Sequence, residues 1–221
     1  MSTVSKQEVL TALRTSGIVA VIRTENPKDL VAVSKALGEG GVQFVEVTMT
    51  TPGAIGIIGE MVAQLKDSKI FVGAGTVLDV ATARAVIDAG VHFVVGPGYD
   101  PEIVKLCNAK GVLVIQGALT PNEIINAWKG GTDVVKMFPA DLGGPDYIKA
   151  IKEPLPQVEI LPTKGINFET AEAYLRAGSI AVGVGGALVS KAMITGKDYP
   201  GITKNAERFS RIVREARTKK P

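Results

Sequence analysis

Lys136 is the residue whose position in this chain most directly indicates chemistry. It lies in the apolar run Val134-Val135-Lys136-Met137-Phe138, which is typical of a buried strand. Burying an ammonium group costs free energy unless the group is paired or gives up its proton. An unprotonated lysine attacks carbonyl carbons as an amine nucleophile. Two interpretations follow: a structural lysine that is paired or extends to solvent from a strand end, and a nucleophile.

A second ionisable side chain, Glu46, lies in a run of the same kind, Phe44-Val45-Glu46-Val47-Thr48. Its carboxylate could be an ion-pair partner of Lys136 or Arg23. It could also be a general acid or base whose pKa is raised by burial. The two roles are compatible, because a carboxylate beside an imine-forming lysine would also carry the protons of that reaction.

Both runs belong to a pattern that recurs along the chain, in which a helical segment is followed by glycine and then by a short β-branched run. Glycine after a helix adopts the left-handed cap conformation, so each copy predicts a helix end followed by a strand. Further strands are predicted at 18–23, 69–72 and 158–161, which gives eight strands alternating with helices. The glycines that mark the pattern are Gly41, Gly90, Gly111, Gly131 and Gly178.

The predicted strands are apolar throughout, as in a parallel sheet that is covered by helices on its outer face. The 221 residues fit one domain, and no linker rich in Pro, Gly or Ser divides them. Eight units in one domain (residues 1–221) favour a closed (β/α)₈ TIM barrel over a doubly wound sheet, which normally has fewer strands. In such barrels the chemistry takes place at the carboxyl ends of the strands.

The carboxyl ends of the predicted strands place a carboxylate, an arginine, lysines and two glycine-rich turns around one mouth. The turns after strands seven and eight would suit a phosphate, because their backbone N–H groups can bind an anion. Alternatively, their glycines only serve tight turns. The candidate residues are Arg23, Glu46, Thr76, Pro97, Lys136, Phe138, Thr163, Lys164, Gly165, Gly185 and Gly186.

Composition excludes several other classes of function. The net charge of +3 arises from the terminal segment 208–221, which carries +5 and leaves −2 for the remainder. Apolar residues at helical spacing predict that this segment belongs to a packed helix with a basic, solvated face. The one aromatic residue of this segment, Phe209, belongs to the predicted apolar face and not to the basic one, so nucleic-acid binding is not predicted.

Metal, redox and membrane chemistry are also poorly supported. His92 is the only histidine and Cys107 the only cysteine, which argues against zinc and allows no internal disulfide. We therefore expect neither a metal nor a cofactor. No apolar stretch is long enough to span a bilayer, and the N-terminal residues lack the apolar core of a signal peptide. A cytoplasmic protein is expected.

Taken together, these runs resemble one known family over almost the whole chain. The chain resembles the 2-keto-3-deoxy-6-phosphogluconate / 4-hydroxy-2-oxoglutarate aldolases, which are class I pyruvate aldolases with a (β/α)₈ barrel. The motifs that carry the resemblance are Val19-Ala20-Val21-Ile22-Arg23, Val45-Glu46-Val47-Thr48, Gly73-Ala74-Gly75-Thr76-Val77, Leu119-Thr120-Pro121-Asn122-Glu123, Val135-Lys136-Met137-Phe138-Pro139-Ala140 with Gly144-Pro145, and Ala181-Val182-Gly183-Val184-Gly185-Gly186.

The resemblance implies roles for the residues at the mouth. Lys136 would form a Schiff base with the substrate ketone, and Glu46 would carry protons for water loss and for cleavage of the C3–C4 bond. The products would be pyruvate and a phosphorylated aldehyde, glyceraldehyde 3-phosphate. The family also implies that no metal is needed and that the protein is a homotrimer. The remaining residues would bind substrate: Arg23 and Thr76 by orienting it, Phe138 and Pro97 by shaping the pocket, and Thr163, Lys164, Gly165, Gly185 and Gly186 in the glycine-rich turns.

The chain also departs from the family pattern. Gly96 stands where serine is usual, Gln116 where proline is common, and Thr50 where some members have arginine. The largest departure is Lys164, which replaces the first glycine of the family's Thr-Gly-Gly turn. Lys164 could pair with the substrate phosphate, point to solvent, or act as a second amine near Lys136.

Two other functions remain open from the sequence. The first is a sugar-phosphate isomerase or synthase that uses the same phosphate turns without an imine. The second is a self-assembling barrel scaffold with weak or altered activity. A covalent adduct with pyruvate distinguishes the aldolase from both.

Overall fold

The structure is a computed structural model that describes residues 4–25 and 27–218. Within these residues, eight parallel strands form one sheet in the order β7-β6-β5-β4-β3-β2-β1-β8. An isolated bridge between Thr163 and Gly183 joins the two outer strands and brings the sheet nearly to closure. The strands are β1 Ile18–Ile22, β2 Phe44–Thr48, β3 Phe71–Gly75, β4 Phe93–Val95, β5 Leu113–Ala118, β6 Val134–Met137, β7 Ile160–Pro162 and β8 Val182–Val184.

Helices alternate with these strands and cover the outside of the barrel. The helices are α1 Lys6–Ser16, α2 Leu30–Glu39, α3 Ala54–Leu65, α4 Val80–Asp88, α5 Pro101–Lys110, α6 Pro121–Lys129, α7 Gly144–Lys152, α8 Ala171–Arg176, α9 Lys191–Thr195 and α10 Tyr199–Thr218. The predicted (β/α)₈ barrel is confirmed.

The barrel interior holds its own apolar cluster, separate from the larger one between sheet and helices. Phe44 lies at its centre, with its ring centroid 4.7 Å from that of Phe71 and 5.5 Å from that of Phe93. Helix α1 contributes Val9 and Leu13 to the same cluster. Since α1 directly precedes β1, it closes the amino-terminal end of the barrel.

The glycine pattern predicted the ends of the helices correctly. All five marker glycines have positive φ, between 68° and 105°. The strand bounds were predicted less well, because most strands begin about two residues later than expected. In particular, β3 was expected at 69–72 but runs from Phe71 to Gly75, so its glycines lie inside the strand and do not form a turn.

The carboxy-terminal helix α10 packs as predicted. Its apolar residues Ile202, Phe209 and Val213 are buried. Its basic face is partly used within the chain, since the guanidinium of Arg208 lies 3.9 Å from the ring centroid of Phe168. Lys219 and Lys220 of the predicted basic segment lie outside the described residues. No helix in the described part of the chain combines the length and apolar character that crossing a membrane requires.

Candidate active site

Glu46 is an ionisable side chain buried inside the barrel. It is 3% exposed, and its Oε1 atom has no hydrogen-bond partner in the structure. Burial raises the pKa of Glu46, while the positive charges of Lys136 and then Arg23 act in the opposite direction. A carboxyl group with a raised pKa and an unpartnered oxygen is suited to taking up and releasing protons.

Two glycines of β3 leave space for side chains inside the barrel, Gly75 for the carboxylate of Glu46 and Gly73 for the ring of Phe93. A Cβ atom on Gly75 would lie 1.8 Å from Oε1 of Glu46, so the carboxylate occupies the space that a side chain would fill. A Cβ atom on Gly73 would lie 2.4 Å from the ring of Phe93, which fills the barrel below. The space beside Gly75 therefore holds the carboxylate of Glu46, and the space beside Gly73 holds the ring of Phe93. Burial in this low-dielectric surrounding is the physical cause of the raised pKa of Glu46.

Lys136 lies in β6, aligned with Gly117 of β5 and Leu161 of β7. The residue is 6% exposed, and its Nζ atom lies 5.2 Å from the ring centroid of Phe138. Its charge acts on Glu46, so the two groups share one interior region. The interpretation of Lys136 as a lysine that extends into solvent is therefore wrong.

Arg23 follows β1 and is exposed at the mouth. Its Nε atom donates a hydrogen bond to Oγ1 of Thr50 at 3.1 Å, and that hydroxyl lies 2.8 Å from Oγ1 of Thr48. Thr50, where some family members have arginine, thus holds Arg23 beside the end of β2. The positive charge of Arg23 acts to lower the pKa of Glu46, against the larger effect of burial.

The loop after β4 reaches across the end of β5. A Cβ atom on Gly117 would lie 1.9 Å from the carbonyl oxygen of Pro97, so the loop rests directly on that glycine. Gln116 is fully buried and accepts a hydrogen bond from the backbone N–H of Asp100 at 3.2 Å. A Cβ atom on Gly96 would lie 2.8 Å from Nε2 of Gln116. The departures at positions 96 and 116 therefore fit each other sterically.

This loop and Phe138 border a cavity of about 310 Å³. Pro97 and Phe138, which the sequence predicts to shape the pocket, both line it, whereas Glu46 and Lys136 do not. The cavity extends outward from the mouth to Glu123 and Asn126 of α6. The cavity lies on the β4 to β6 side of the barrel mouth, next to the region in which Glu46 and Lys136 are buried.

Thr76 directly follows β3 and has a φ of 59°. The left-handed region is strained for a β-branched residue, and such strain is concentrated at functional sites. The observation agrees with the predicted placement of Thr76 at the mouth.

The turns after β7 and β8 lie side by side, as predicted, because Thr163 and Gly183 are bridged. Oγ1 of Thr163 is buried without a hydrogen-bond partner. Among the described residues, the backbone N–H groups of residues 164–166, 186 and 187 donate to no backbone acceptor. The turns are not the starts of regular helices, since α8 begins at Ala171 and α9 at Lys191. The N–H donors therefore belong to the turns themselves.

Lys164 adopts a φ of 81°, and Gly165 one of 78°. The lysine side chain is 59% exposed, and its Nζ atom lies 3.7 Å from Oδ2 of Asp141. Lys164 is thus not simply a solvated side chain. Asp141 was not among the predicted site residues, because nothing in the sequence indicates that the segment after β6 returns to the turn after β7.

The single cysteine and the single histidine of the chain lie away from the mouth. Cys107 is fully buried on α5, and burial raises the pKa of its thiol to about 11. His92 precedes β4, where its Nδ1 atom accepts a hydrogen bond from the backbone N–H of Val72 at 3.1 Å. Burial lowers the pKa of His92. In residues 4–25 and 27–218, no cluster of three or more His, Cys, Asp or Glu side chains could hold a metal.

Comparison with known proteins agrees with this geometry. A sequence profile of the family described as "Aldolase: KDPG and KHG aldolase" matches residues 9–205. The chain belongs to the KDPG and KHG aldolase family. The predicted family and the predicted enzyme class, an aldolase, are confirmed.

Individual members of the KDPG and KHG aldolase family match nearly end to end. The chain is 32% identical to the 2-dehydro-3-deoxy-phosphogluconate aldolase of Treponema pallidum over 93% of its own length and 97% of the relative's. It is 33% identical to the KHG/KDPG aldolase of Escherichia coli, with coverages of 88% and 91%. The KDPG aldolase of Legionella pneumophila, captured with pyruvate as a covalent carbinolamine intermediate, superimposes with a TM-score of 0.84. It is 29% identical, with coverages of 93% and 98%.

Gly75 offers a test of how this KDPG and KHG aldolase positions its carboxylate. We expect Gly75→Ala to lower kcat/KM about 100-fold, because the added Cβ displaces the carboxylate of Glu46. The free energy of unfolding should fall by about 1–3 kcal/mol from overpacking. Steady-state kinetics and urea denaturation measure both effects.

The matched control is Gly73→Ala in the same strand, where an added Cβ would lie 2.4 Å from the ring of Phe93 and not against Glu46. It should lower the free energy of unfolding by a similar amount through overpacking, with a smaller effect on kcat/KM. A Gly75→Ala variant with unchanged kinetics would contradict the assigned position of Glu46.

Lys164 offers a test of backbone strain. Lys164→Gly should raise the free energy of unfolding by about 1 kcal/mol, because glycine adopts positive φ without strain. Thermal denaturation should then show an increase in Tm of about 2–4 °C. Lys164→Ala is the control, since it removes the amine but keeps the strain. An equal gain in both variants would mean that the strain does not matter.

Proposed function

We propose that this chain is a class I aldolase that cleaves 2-keto-3-deoxy-6-phosphogluconate, or a related 2-keto-3-deoxy acid, to pyruvate and glyceraldehyde 3-phosphate. The observation that carries the proposal is the buried pair inside the barrel. Lys136 is 6% exposed, and Glu46 has an unpartnered carboxylate oxygen whose ionisation responds to the charge of Lys136. A nucleophilic amine beside a proton-carrying carboxyl group is what imine chemistry requires.

The reaction begins when the unprotonated amine of Lys136 attacks the ketone carbon and forms a carbinolamine. Glu46 donates a proton to the departing hydroxyl group, and water leaves to give a protonated imine. Burial raises the pKa of Glu46, which favours its role as the proton donor in this step.

Cleavage then uses Glu46 as a base. Its carboxylate takes the proton from the C4 hydroxyl, the C3–C4 bond breaks, and the bonding electrons move to the imine nitrogen. The aldehyde departs, leaving an enamine of pyruvate on Lys136. Protonation of that enamine at carbon and hydrolysis of the imine release pyruvate and restore the amine.

Substrate binding is assigned to the residues around this pair. Arg23, which donates a hydrogen bond to Thr50, and Thr76, at the end of β3, would orient the substrate and its carboxylate. Pro97 and Phe138 border the cavity next to the mouth. The terminal phosphate is assigned to the turns after β7 and β8, whose residues are Thr163, Lys164, Gly165, Gly185 and Gly186. Their free N–H groups and the unpartnered hydroxyl of Thr163 support this assignment.

We also propose that the chain is one barrel domain of a cytoplasmic homotrimer. The support is the solvent-facing side of α3, where a Cβ on Gly56 or Gly59 would meet nothing within 4 Å. No contact of the described residues explains these glycines, whereas close packing against another subunit would. Sedimentation analysis that finds only monomer would remove the trimer from the proposal.

Borohydride trapping tests the aldolase activity. The protein is incubated with pyruvate, reduced with borohydride and digested, and the modified peptide is located by mass spectrometry. We expect a reduced pyruvyl adduct on Lys136, and none when pyruvate is omitted. An adduct on Lys164 would assign the nucleophile to the other lysine. The absence of any adduct would contradict the aldolase activity, and the two alternative functions, a sugar-phosphate isomerase or synthase and a self-assembling scaffold, would remain.

A further inference from the structure

The turn after β7 carries a lysine in a conformation that favours glycine. Lys164 has a φ of 81°, and Lys197 is a second lysine with positive φ, at 52°. Both are paired with an aspartate, Lys197 with Asp29 at 3.6 Å. Only Lys164 lies in a turn that follows a barrel strand and has free backbone N–H groups. Strain of this kind at a strand end indicates a function for the side chain.

The partner of Lys164 is held firmly against the same turn. Asp141 lies in the short 3₁₀ helix 140–142 that follows β6. The backbone N–H of Ala140 donates to the carbonyl oxygen of Thr163 at 3.0 Å, which ties this segment to the end of β7. A Cβ atom on Gly165 would lie 2.7 Å from Cβ of Asp141. The carboxylate of Asp141 is therefore a fixed neighbour of the turn, 3.7 Å from Nζ of Lys164.

A carboxylate in this place is unexpected beside an anion site, because like charges repel. Lys164 offsets the charge of Asp141, so the pair has a net charge close to zero. The ion pair is exposed, at 59% for Lys164 and 41% for Asp141, and exposed pairs are weak. Lys164 can therefore leave Asp141 for a ligand of higher charge, and a phosphate group carries between about −1.5 and −2 at neutral pH.

We propose that Lys164 and Asp141 together select substrates by the charge of their terminal group. Lys164 contacts the terminal phosphate, whereas Asp141 competes for Lys164 and opposes the phosphate, so it acts as a positioning residue. This inference rests on the proposed function and adds to it a pair of residues that sets the preference for phosphorylated over unphosphorylated substrate.

The two residues should affect this preference in opposite directions. The quantity measured is the ratio of kcat/KM for a phosphorylated substrate to that for its unphosphorylated analogue. We expect K164M to lower the ratio about 10- to 100-fold, as for loss of a hydrogen bond to a charged group. We expect D141N to raise it about 2- to 5-fold, mainly through a lower KM for the phosphorylated substrate. K164R, which keeps the charge, should retain most of the ratio.

Opposite signs exclude a purely structural pair, because either variant breaks the same ion pair and would then change the ratio alike. The matched control is K197M, which removes the other lysine of positive φ and should leave the ratio unchanged. An unchanged ratio in K164M, or a decrease in both K164M and D141N, would overturn the inference. Borohydride trapping of pyruvate in the parent protein distinguishes the two possible failures. If Lys136 carries the adduct, only the role of Lys164 and Asp141 is overturned, whereas the absence of an adduct would overturn the aldolase assignment itself.

Discussion

Replacing Lys136 with methionine should lower kcat/KM for cleavage by at least about 10⁴-fold, because the variant lacks the amine that forms the imine in the proposed mechanism. The same variant should give no adduct with pyruvate and borohydride at this position. Steady-state kinetics with coupled detection of pyruvate measures the first effect, and peptide mass spectrometry the second.

Lys136→Arg is the control for the charge of Lys136. Arginine keeps a cation near Glu46 and Phe138 but is not a nucleophile, since its guanidinium stays protonated. It should therefore be as inactive as Lys136→Met. Circular dichroism and thermal denaturation establish that both variants are folded. Retention of more than a few per cent of the activity in either one would contradict the Schiff-base assignment.

Replacing Glu46 with glutamine should lower kcat/KM by about 10²- to 10⁴-fold, the usual contribution of a general acid and base. Adduct formation with pyruvate should become slow, because loss of water from the carbinolamine also needs the proton from Glu46. Time-resolved trapping measures the rate of adduct formation separately from cleavage.

The same substitution should change how stability depends on pH. The pKa of Glu46 is raised in the folded state, so the folded protein binds a proton more tightly at this group than the unfolded chain does. The contribution of Glu46 to the free energy of unfolding is therefore complete below the unfolded pKa and is lost as pH rises through the folded pKa. Glutamine carries no such dependence. Glu46→Gln should therefore gain stability relative to the parent as pH increases from about 4 to above the folded pKa. Urea denaturation across this range gives the difference.

Glu8 supplies a control of opposite sign. Hydrogen bonds from Ser5 in the capping box of α1 lower the pKa of Glu8, so its stabilising contribution is present above the unfolded pKa and is lost as pH falls through the folded pKa. Glu8→Gln should lose stability relative to the parent as pH rises over the acidic range. If both variants changed in the same direction, the raised pKa of Glu46 would be in doubt.

The backbone conformation of glycine made the order of helices and strands in the barrel predictable from the sequence. Each marker glycine has the positive φ that a helix cap requires, and a local rule of this kind needs no knowledge of distant residues. The strand-end rule then brought Glu46, Lys136 and Arg23 to one region. These predictions succeed because they depend on backbone conformation and on parallel alignment.

Other features depend on contacts between residues far apart in sequence, and the sequence did not reveal them. Strand β3 was predicted to end at residue 72, although Gly73 and Gly75 lie inside it and leave space for Phe93 and Glu46. The pairing of Lys164 with Asp141 depends on how the 3₁₀ helix after β6 meets the end of β7. Such contacts follow from packing in three dimensions, which a periodic pattern does not encode.

The position of α1 has a consequence for the amino-terminal part of the chain. Val9 and Leu13 belong to the same apolar cluster inside the barrel as Phe44 and Phe93. The helix is therefore part of the core, because removing these side chains would expose the cluster to water. A substitution in α1, far along the chain from Lys136, would thus weaken the packing beneath the strands that carry the reactive side chains.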